Sequence, residues 1–542
     1  MRISIVRSIR TAATIRLIFV PRTHLPIDHT PIRHSLALRT MSSSPPPASP
    51  ASPSIAPPPP LWQTLRPPPH PEMRDLDRSA FTLRHPLLSV RLDSGKIAKI
   101  RSDPLVKPWL MDMSKMRLVL DDPEGTSTKL IRLKVQAQDQ LPEDVLELLS
   151  KEGRGFVPDE LEIGYDHWTS SDILNSILPP GDDGELAPSA FTQTGHIGHV
   201  NLREEWLPYK KIIGQVFLDK NVNLRTIVNK LDSIHAEFRY FDMEVLAGDE
   251  DFVTTCHESG CTFTFDFSKV YWNSRLQMEH DRLIALLPSG AVVADVMAGV
   301  GPFAVPAAKK GCYVLGNDLN PESVRWMREN RLKNKVEGTL RVTEMDGKEF
   351  IQKSATMAWN DPFPPFVPPG VLRKRQQEAR RQREMAQKLA ALQLEKQEPT
   401  TAAPTAPPAP PAPKETTETA EPPVAPQLPT HYIMNLPDSA LTFLGAFNGL
   451  YSGMASDPVF QDTLRQVGLP FVHVYCFTRE LERPAAEQDI CERASRYLGH
   501  PVTPNMTGYD LHLVRRVAPN KDMYCLTFQL PNDVAFAPNS SA

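Results

Sequence analysis

Apolar and polar positions follow two different rhythms along this chain, and the change between them marks its architecture. Over Cys261 to Val270 the run Thr262-Phe263-Thr264-Phe265-Asp266-Phe267 repeats every second residue, which sets three Phe on one face of a predicted strand. From 281 onward the pattern becomes strand, helix, strand, helix, as expected of parallel βαβ units. Ala291 to Met297 reads as a buried strand running into Ala298-Gly299-Val300-Gly301-Pro302-Phe303. A helix is predicted over Phe303 to Lys310, with Pro302 suited to its first turn and Gly311 ending it. The next strand, Cys312 to Asn317, is followed by Asn320-Pro321, a cap and first-turn pair for a helix from Glu322 to Leu332. A third strand is expected over Arg341 to Gly347.

Proline separates these regions. Of 55 prolines, thirteen lie in residues 45–71 and sixteen in 362–429, so the excess marks two inserts that cannot pack in an otherwise globular chain. The resulting division has a Pro-rich linker at 41–71, a first folded unit at 72–180, a middle α+β unit at 190–280 and an α/β unit at 281–535. The last is interrupted by a charged and Pro-rich insert at 352–430, whose Val371 to Glu398 is a helix former with a solvated charged face. The first forty residues carry seven arginines, no lysine and one acid, Asp28, the composition of a mitochondrial transit segment. A start at Met41 would delete it and leave cytosolic protein. No apolar run is long enough to span a membrane.

The net charge of -4 argues against a wholesale nucleic-acid coat but not against a local site. Residues 196–282 hold ten Lys/Arg against fourteen Asp/Glu, with Lys210, Lys211, Lys220 and Lys230 as candidates for one basic face. The six cysteines form no disulfide framework. Cys256-His257-x3-Cys261 lacks the second ligand pair that tetrahedral zinc needs, so no metal is expected.

The loop after the Ala291–Met297 strand is the candidate binding site. Gly299 and Gly301 let the backbone approach a ligand. Asp318 follows Asp295 by 23 positions, where a doubly wound fold places the carboxylate for a ribose diol. A dinucleotide fingerprint would require glycine at 304, which is Ala304 here, so a nucleoside without a pyrophosphate fits better. Asp346, at the end of the third strand, is placed to accept from an adenine amine; turn or cap chemistry is the competing role for it and for Asn435. His431-Tyr432-Ile433-Met434-Asn435-Leu436-Pro437 resembles the fourth strand of an S-adenosylmethionine-dependent methyltransferase.

Over about 190–530, outside the insert, the chain resembles eukaryotic and archaeal tRNA (guanine-37-N1)-methyltransferases. The stretches that carry this are Gly195 to Arg203, Leu207 to Lys210, Ile213 to Val216, Val228 to Lys230, Phe238 to Tyr240, Leu246 to Gly248, Asp266 to Leu276, Asp295 to Phe303 and Asn435 to Pro437. The resemblance implies a Rossmann-like class I methyltransferase domain preceded by smaller α+β tRNA-binding domains. It implies methylation of N1 of guanosine 37, beside the anticodon, which helps hold the reading frame and can begin wybutosine synthesis.

By the same resemblance Glu279 is the general base and Arg239 the cation that stabilises O6. The S-adenosylmethionine contacts are His280, Asp295, Gly299, Gly301, Asp318, Leu319, Asp346, Gly347 and Asn435, and Tyr271 and Pro437 shape the base pocket. Archaeal members have arginine where this chain has His280, which puts the contact to the methionine carboxylate in question. Implied partners are the anticodon loop and outer corner of tRNA, bound by a monomer, with no membrane. Implied locations are the mitochondrial matrix with cytoplasmic and nuclear pools. Two competing readings are aminocarboxypropyl transfer in wybutosine synthesis, which has no N1 proton to remove, and a non-catalytic RNA-binding protein.

Overall fold

A computed structural model of the chain describes residues 56–180, 187–188, 190–234, 241–365, 377–378, 380–385, 387 and 427–538. Four strands, β1 (Leu83–Asp93), β2 (Val119–Asp121), β3 (Thr128–Arg132) and β4 (Phe156–Ile163), form an antiparallel sheet in the order β2-β3-β1-β4. A second sheet orders β5 (Thr192–Thr194), β6 (Ile197–Val200), β7 (Thr226–Ile234) and β8 (Phe241–Gly248) in sequence. Its parallel β6–β7 pair is crossed over by the helix Lys210–Lys220. One face of the first sheet has its own core, with Val90, Leu92, Trp109, Ile131 and Leu149, and its other side shares a core with the second sheet. Phe81, Leu161, Trp168 and Ile173 of the first share one apolar cluster with Ile213, Phe217, Ile227 and Leu246 of the second.

The hairpin of β9 (Val253–Glu258) and β10 (Cys261–Asp266) is a two-stranded sheet of its own, which packs in one core with the third sheet and touches the second through Thr254, whose Oγ1 donates to the Thr194 carbonyl. Phe263, Phe265 and Phe267 are all buried, as their alternation predicts, against Trp272, Leu276, Phe303 and Trp326. Asn330 fastens this contact. Its Oδ1 accepts from the Thr264 N–H at 2.8 Å, and its Nδ2 donates to the Val300 carbonyl at 3.1 Å.

The third sheet comprises β11 (Val292–Asp295), β12 (Tyr313–Asp318), β13 (Leu340–Glu344), β14 (His431–Met434), β15 (Phe471–Thr478), β16 (Asp510–Ala518) and β17 (Lys521–Gln529). Its order is β13-β12-β11-β14-β15-β17-β16, with β17 antiparallel to β15 and β16 antiparallel to β17. β11 to β15 are parallel; β11, β12, β14 and β15 are almost wholly buried because helices or the hairpin cover both faces, while β13 at the sheet edge buries only Leu340. The chain leaves β11 in one direction toward β12 and returns on the other side as β14. That reversal opens a crevice at the carboxyl ends of the strands, where doubly wound folds bind ligands.

Several sequence-based boundaries move. Residues 56–71, placed in the linker, pack onto the first domain: Leu61 is buried in the shared core and its N–H donates to Asp112. Leu61, with Leu65 partly buried beside it, suffices because the proline-rich backbone is already stiff and loses little entropy on docking. The expected boundary at 280 falls inside the helix Gln277–Leu286. The helix Gly347–Asn360 runs nine residues into the segment read as an insert, since its Phe350, Ile351, Ala355 and Ala358 form a buried stripe. The far end is ordered too, with Leu428 buried. Of the charged helix former at 371–398, residues 377–378, 380–385 and 387 are described and are helical. No helix among the described residues is long and apolar enough to cross a membrane.

Candidate functional site

A cavity of about 300 Å³ opens in the crevice between β11 and β14. The loop after β11 forms one wall. Gly299 and Gly301 adopt φ of +56° and +98°, a region that side-chain-bearing residues rarely enter. A Cβ at Gly301 would stand 2.8 Å from Val305, whereas one at Gly299 would meet no protein atom, so Gly299 faces open space. The Gly299 N–H donates to Asp318 Oδ2 at 2.7 Å, and the Asn320 N–H donates to Asp318 Oδ1 at 2.9 Å. Burial pushes the Asp318 carboxyl up to about 6, against the opposing pull of these backbone N–H groups. Asn320 caps the helix Pro321–Lys333, with Pro321 in its first turn. Its Nδ2 also donates to the Lys269 carbonyl.

Asp346 caps the helix Gly347–Asn360 through Oδ1, so the strand ahead of it stops at Glu344 rather than reaching Gly347. It nonetheless lines the cavity, as do Leu319, Gly347, Asn435 and Pro437. A Cβ on Gly347 would come within 2.9 Å of the Phe443 ring and 3.2 Å of Val296, so glycine there keeps a slot open between two apolar walls. Asn435 Oδ1 is buried on the wall without a hydrogen-bond partner. A buried acceptor of this kind calls for a donor from a ligand.

The helix Gln277–Leu286 is fastened at its carboxyl end by Lys310, whose ammonium donates to the carbonyls of Ile284, Ala285 and Leu287. It brings Leu276, just before its first turn, and His280 to the cavity. Glu279 is turned elsewhere. Its buried carboxylate accepts from Arg282 Nε at 2.6 Å, Arg282 Nη2 at 2.7 Å and the Tyr475 hydroxyl at 2.7 Å, and His512 Nε2 lies 3.5 Å away. The bond to Glu279 raises the Arg282 guanidinium above its ordinary value.

Asp295 also stands apart from the cavity wall. Its carboxylate is fully buried at the end of β11 with neither oxygen hydrogen-bonded, and burial, with Asp318 adding to it, pushes the carboxyl well up. It therefore sits behind the loop as a buried acid, not on the surface a ligand meets. Arg239 lies outside the described residues. Three of the four lysines assigned to a basic face are engaged: Lys210 pairs with Glu244, Lys220 donates to the Tyr165 carbonyl, and the Lys230 ammonium lies over the Phe267 ring.

At the mouth, Tyr271 and Asn273 meet, Asn273 Nδ2 donating to the Tyr271 hydroxyl at 3.3 Å. The opposite side is built by the β15–β17–β16 edge, with Phe477, Met523, Val517 and Arg515. Register shifts on both sides of Arg515 and Arg516 mark bulges in β16, the feature that re-aims side chains beside sites. Arg515 lines the cavity with no carboxylate paired to it among the described residues, while Arg516 is taken up by Asp522. Arg515, Phe443 and Tyr475 escape a reading of the sequence because each joins the site only through tertiary packing; no local motif announces them.

The donor set fits S-adenosylmethionine. A buried carboxylate at the second strand suits a ribose diol, an apolar slot bounded by Phe443 and Val296 suits a purine, and the unpartnered Asn435 Oδ1 suits a donor. Nothing in the loop resembles a pyrophosphate cradle, since Ala304 is buried in the helix that follows. Among the described residues no cluster of His, Cys, Asp or Glu is arranged for a metal.

Comparison with known proteins adds an independent line. Residues 254–358 match the TRM5/TYW2 methyltransferase domain, and residues 170–251 match the TYW2 N-terminal domain. The chain is 50% identical over 496 residues to a tRNA (guanine(37)-N(1))-methyltransferase of Cryptococcus neoformans var. neoformans, covering 88% of this chain and 89% of that one. It is 40% identical over 471 residues to the Schizosaccharomyces pombe protein of the same description, covering 86% and 96%. In fold it is similar to aTrm5 as seen in the complex with tRNALeu, with a TM-score of 0.50, 16% identity, and 82% and 99% of the two chains covered.

Proposed function

The chain belongs to the tRNA (guanine(37)-N(1))-methyltransferase family, and from that premise we propose how its residues divide the work of methylating N1 of guanosine 37 in tRNA. The observation that carries this division is the convergence of Gly299, Asp318, Gly347 and Asn435 on one cavity at the switch between β11 and β14. S-adenosylmethionine, when bound, supplies an electrophilic methyl group. Asp318 and Leu319 take the ribose, Asp346 and Gly347 the adenine, and Asn435 accepts a donor from the ligands. Tyr271 and Pro437 shape the space for the target base.

Guanine N1 carries a proton and its lone pair is delocalised, so a carboxylate must remove that proton while negative charge gathers on O6. Glu279 is the base and Arg239 the partner of O6. To act, Glu279 exchanges one of its resting donors, Arg282 or Tyr475, for the N1–H. His512, half-exposed and 3.5 Å from the carboxylate, is the route by which the proton leaves. Arg515, at the mouth and with no carboxylate paired to it among the described residues, holds a phosphate of the splayed-out nucleotide.

The anticodon loop is reached by this mouth and the outer corner of tRNA by the first domain, one chain serving one tRNA. The arginine-rich first forty residues support import into the mitochondrial matrix, with cytoplasmic and nuclear pools arising from Met41. Imaging full-length protein against a Met41 start tests this; identical distributions would refute it.

Mass analysis of guanosine 37 in tRNA incubated with the full chain and S-adenosylmethionine tests the reaction. One methyl group in place of hydrogen, blocking the Watson–Crick edge, is expected. Gain of an aminocarboxypropyl group, or no gain despite cofactor binding, would overturn the assignment.

A further inference from the structure

His280 is not alone at the cavity wall. Its Nδ1 is hydrogen-bonded to Glu258 Oε1, which closes β9, and the two residues are 3% and 5% exposed. The carboxylate of Glu258 has no second hydrogen-bond partner among the described residues. The Phe303 ring packs edge-on against the imidazole, with centroids 4.6 Å apart and planes at 76°, and fixes its tilt. Among the described residues His280 Nε2 makes no hydrogen bond, and His280 lines the cavity while Glu258 does not.

A carboxylate this deep, with one partner, is compensated only if that partner bears charge. The arrangement also settles which ring nitrogen serves which purpose: Nδ1 is spent on Glu258, and Nε2 is left for the occupant of the cavity. We propose that Glu258 is a positioning residue that holds His280 as an imidazolium whose Nε2–H binds the carboxylate of the cofactor's methionine. The hairpin β9–β10 thus contributes to cofactor binding as well as to the core. This rests on S-adenosylmethionine being the cofactor.

The test is calorimetric binding by the full chain of two ligands, S-adenosylmethionine and 5′-methylthioadenosine, which shares the nucleoside but lacks the amino-acid end. Glu258→Gln and, separately, His280→Gln should each weaken S-adenosylmethionine about tenfold, the loss of one charge-assisted bond, and leave 5′-methylthioadenosine within about twofold. Equal losses for both ligands would make the pair structural and overturn the proposal, as would unchanged binding of S-adenosylmethionine. Failure of the parent chain to bind either ligand would instead overturn the cofactor reading. Should either single variant fold poorly, the double variant Glu258→Gln/His280→Gln, which removes both charges and strands neither, decides: loss of S-adenosylmethionine affinity with 5′-methylthioadenosine retained supports the proposal, and equal losses overturn it.

Discussion

The backbone N–H of Gly299 donates to the carboxylate of Asp318 at 2.7 Å, tying the loop after β11 to the end of β12. One carboxylate therefore shapes the glycine loop and faces the ligand cavity. Loop geometry and ribose recognition cannot be varied independently in this protein.

That coupling predicts a pH dependence. The Asp318 carboxyl is raised to about 6, so protonation sets in as pH falls through that value and removes the charged acceptor. Affinity for S-adenosylmethionine should drop between pH 7.5 and 5, and Asp318→Asn should bind weakly with a flatter profile. Without cofactor the sign for stability is opposite. The protonated form is the one burial favours, so Asp318 contributes stability that is full below the usual carboxylate range and lost as pH rises through about 6. Calorimetry and thermal melts across pH check both; parallel slopes for parent and Asp318→Asn would contradict them.

Glu279→Gln separates chemistry from scaffolding. A base role predicts a fall in single-turnover rate of about a hundredfold or more, with cofactor affinity nearly intact. A scaffolding role predicts a lowered melting temperature and equal losses in rate and affinity, because breaking a buried ion pair costs about 3 kcal/mol. Measuring rate, affinity and melting on one preparation distinguishes these.

Arg515→Ala should raise the Kd for tRNA and lower the salt dependence of binding by about one unit of slope, without changing affinity for S-adenosylmethionine. Filter binding over a range of salt reads both. An unaltered slope would remove Arg515 from the phosphate contacts.

The insert can be shortened, but not to the limits its composition suggests. Gln427 donates to the Phe363 carbonyl and accepts from its N–H, Phe363 stacks on Tyr313, and Leu428 is buried, so these residues form a staple across the base of the insert. Replacing 367–425 by a short Gly/Ser linker should preserve methylation and stability, since halving a loop alters closure by only about 0.6 kcal/mol. Extending the cut through Phe363 and Gln427 should lower the melting temperature.

Where chemistry is local, it was legible in the chain. Alternating Phe263, Phe265 and Phe267 specify a strand face because side chains repeat every two residues. Gly299 and Gly301 announce a close backbone approach because only glycine enters positive φ without strain. Asn320-Pro321 marks a helix start because its groups satisfy the first turn. Boundaries were less legible where apolar stripes continue through low-complexity surroundings, as with Leu61 and the helix Gly347–Asn360. The partnerships of buried charges were legible only where one turn of helix joins them. Glu279 with Arg282 lies within one helix, yet Tyr475 reaches it from 196 positions away, and Glu258 meets His280 from 22. Short-range sterics and capping act between neighbours and are written in order along the chain. Desolvation instead depends on what the completed fold places around each group, and only tertiary structure decides which carboxylate is exposed to a ligand, which is paired and which is buried alone.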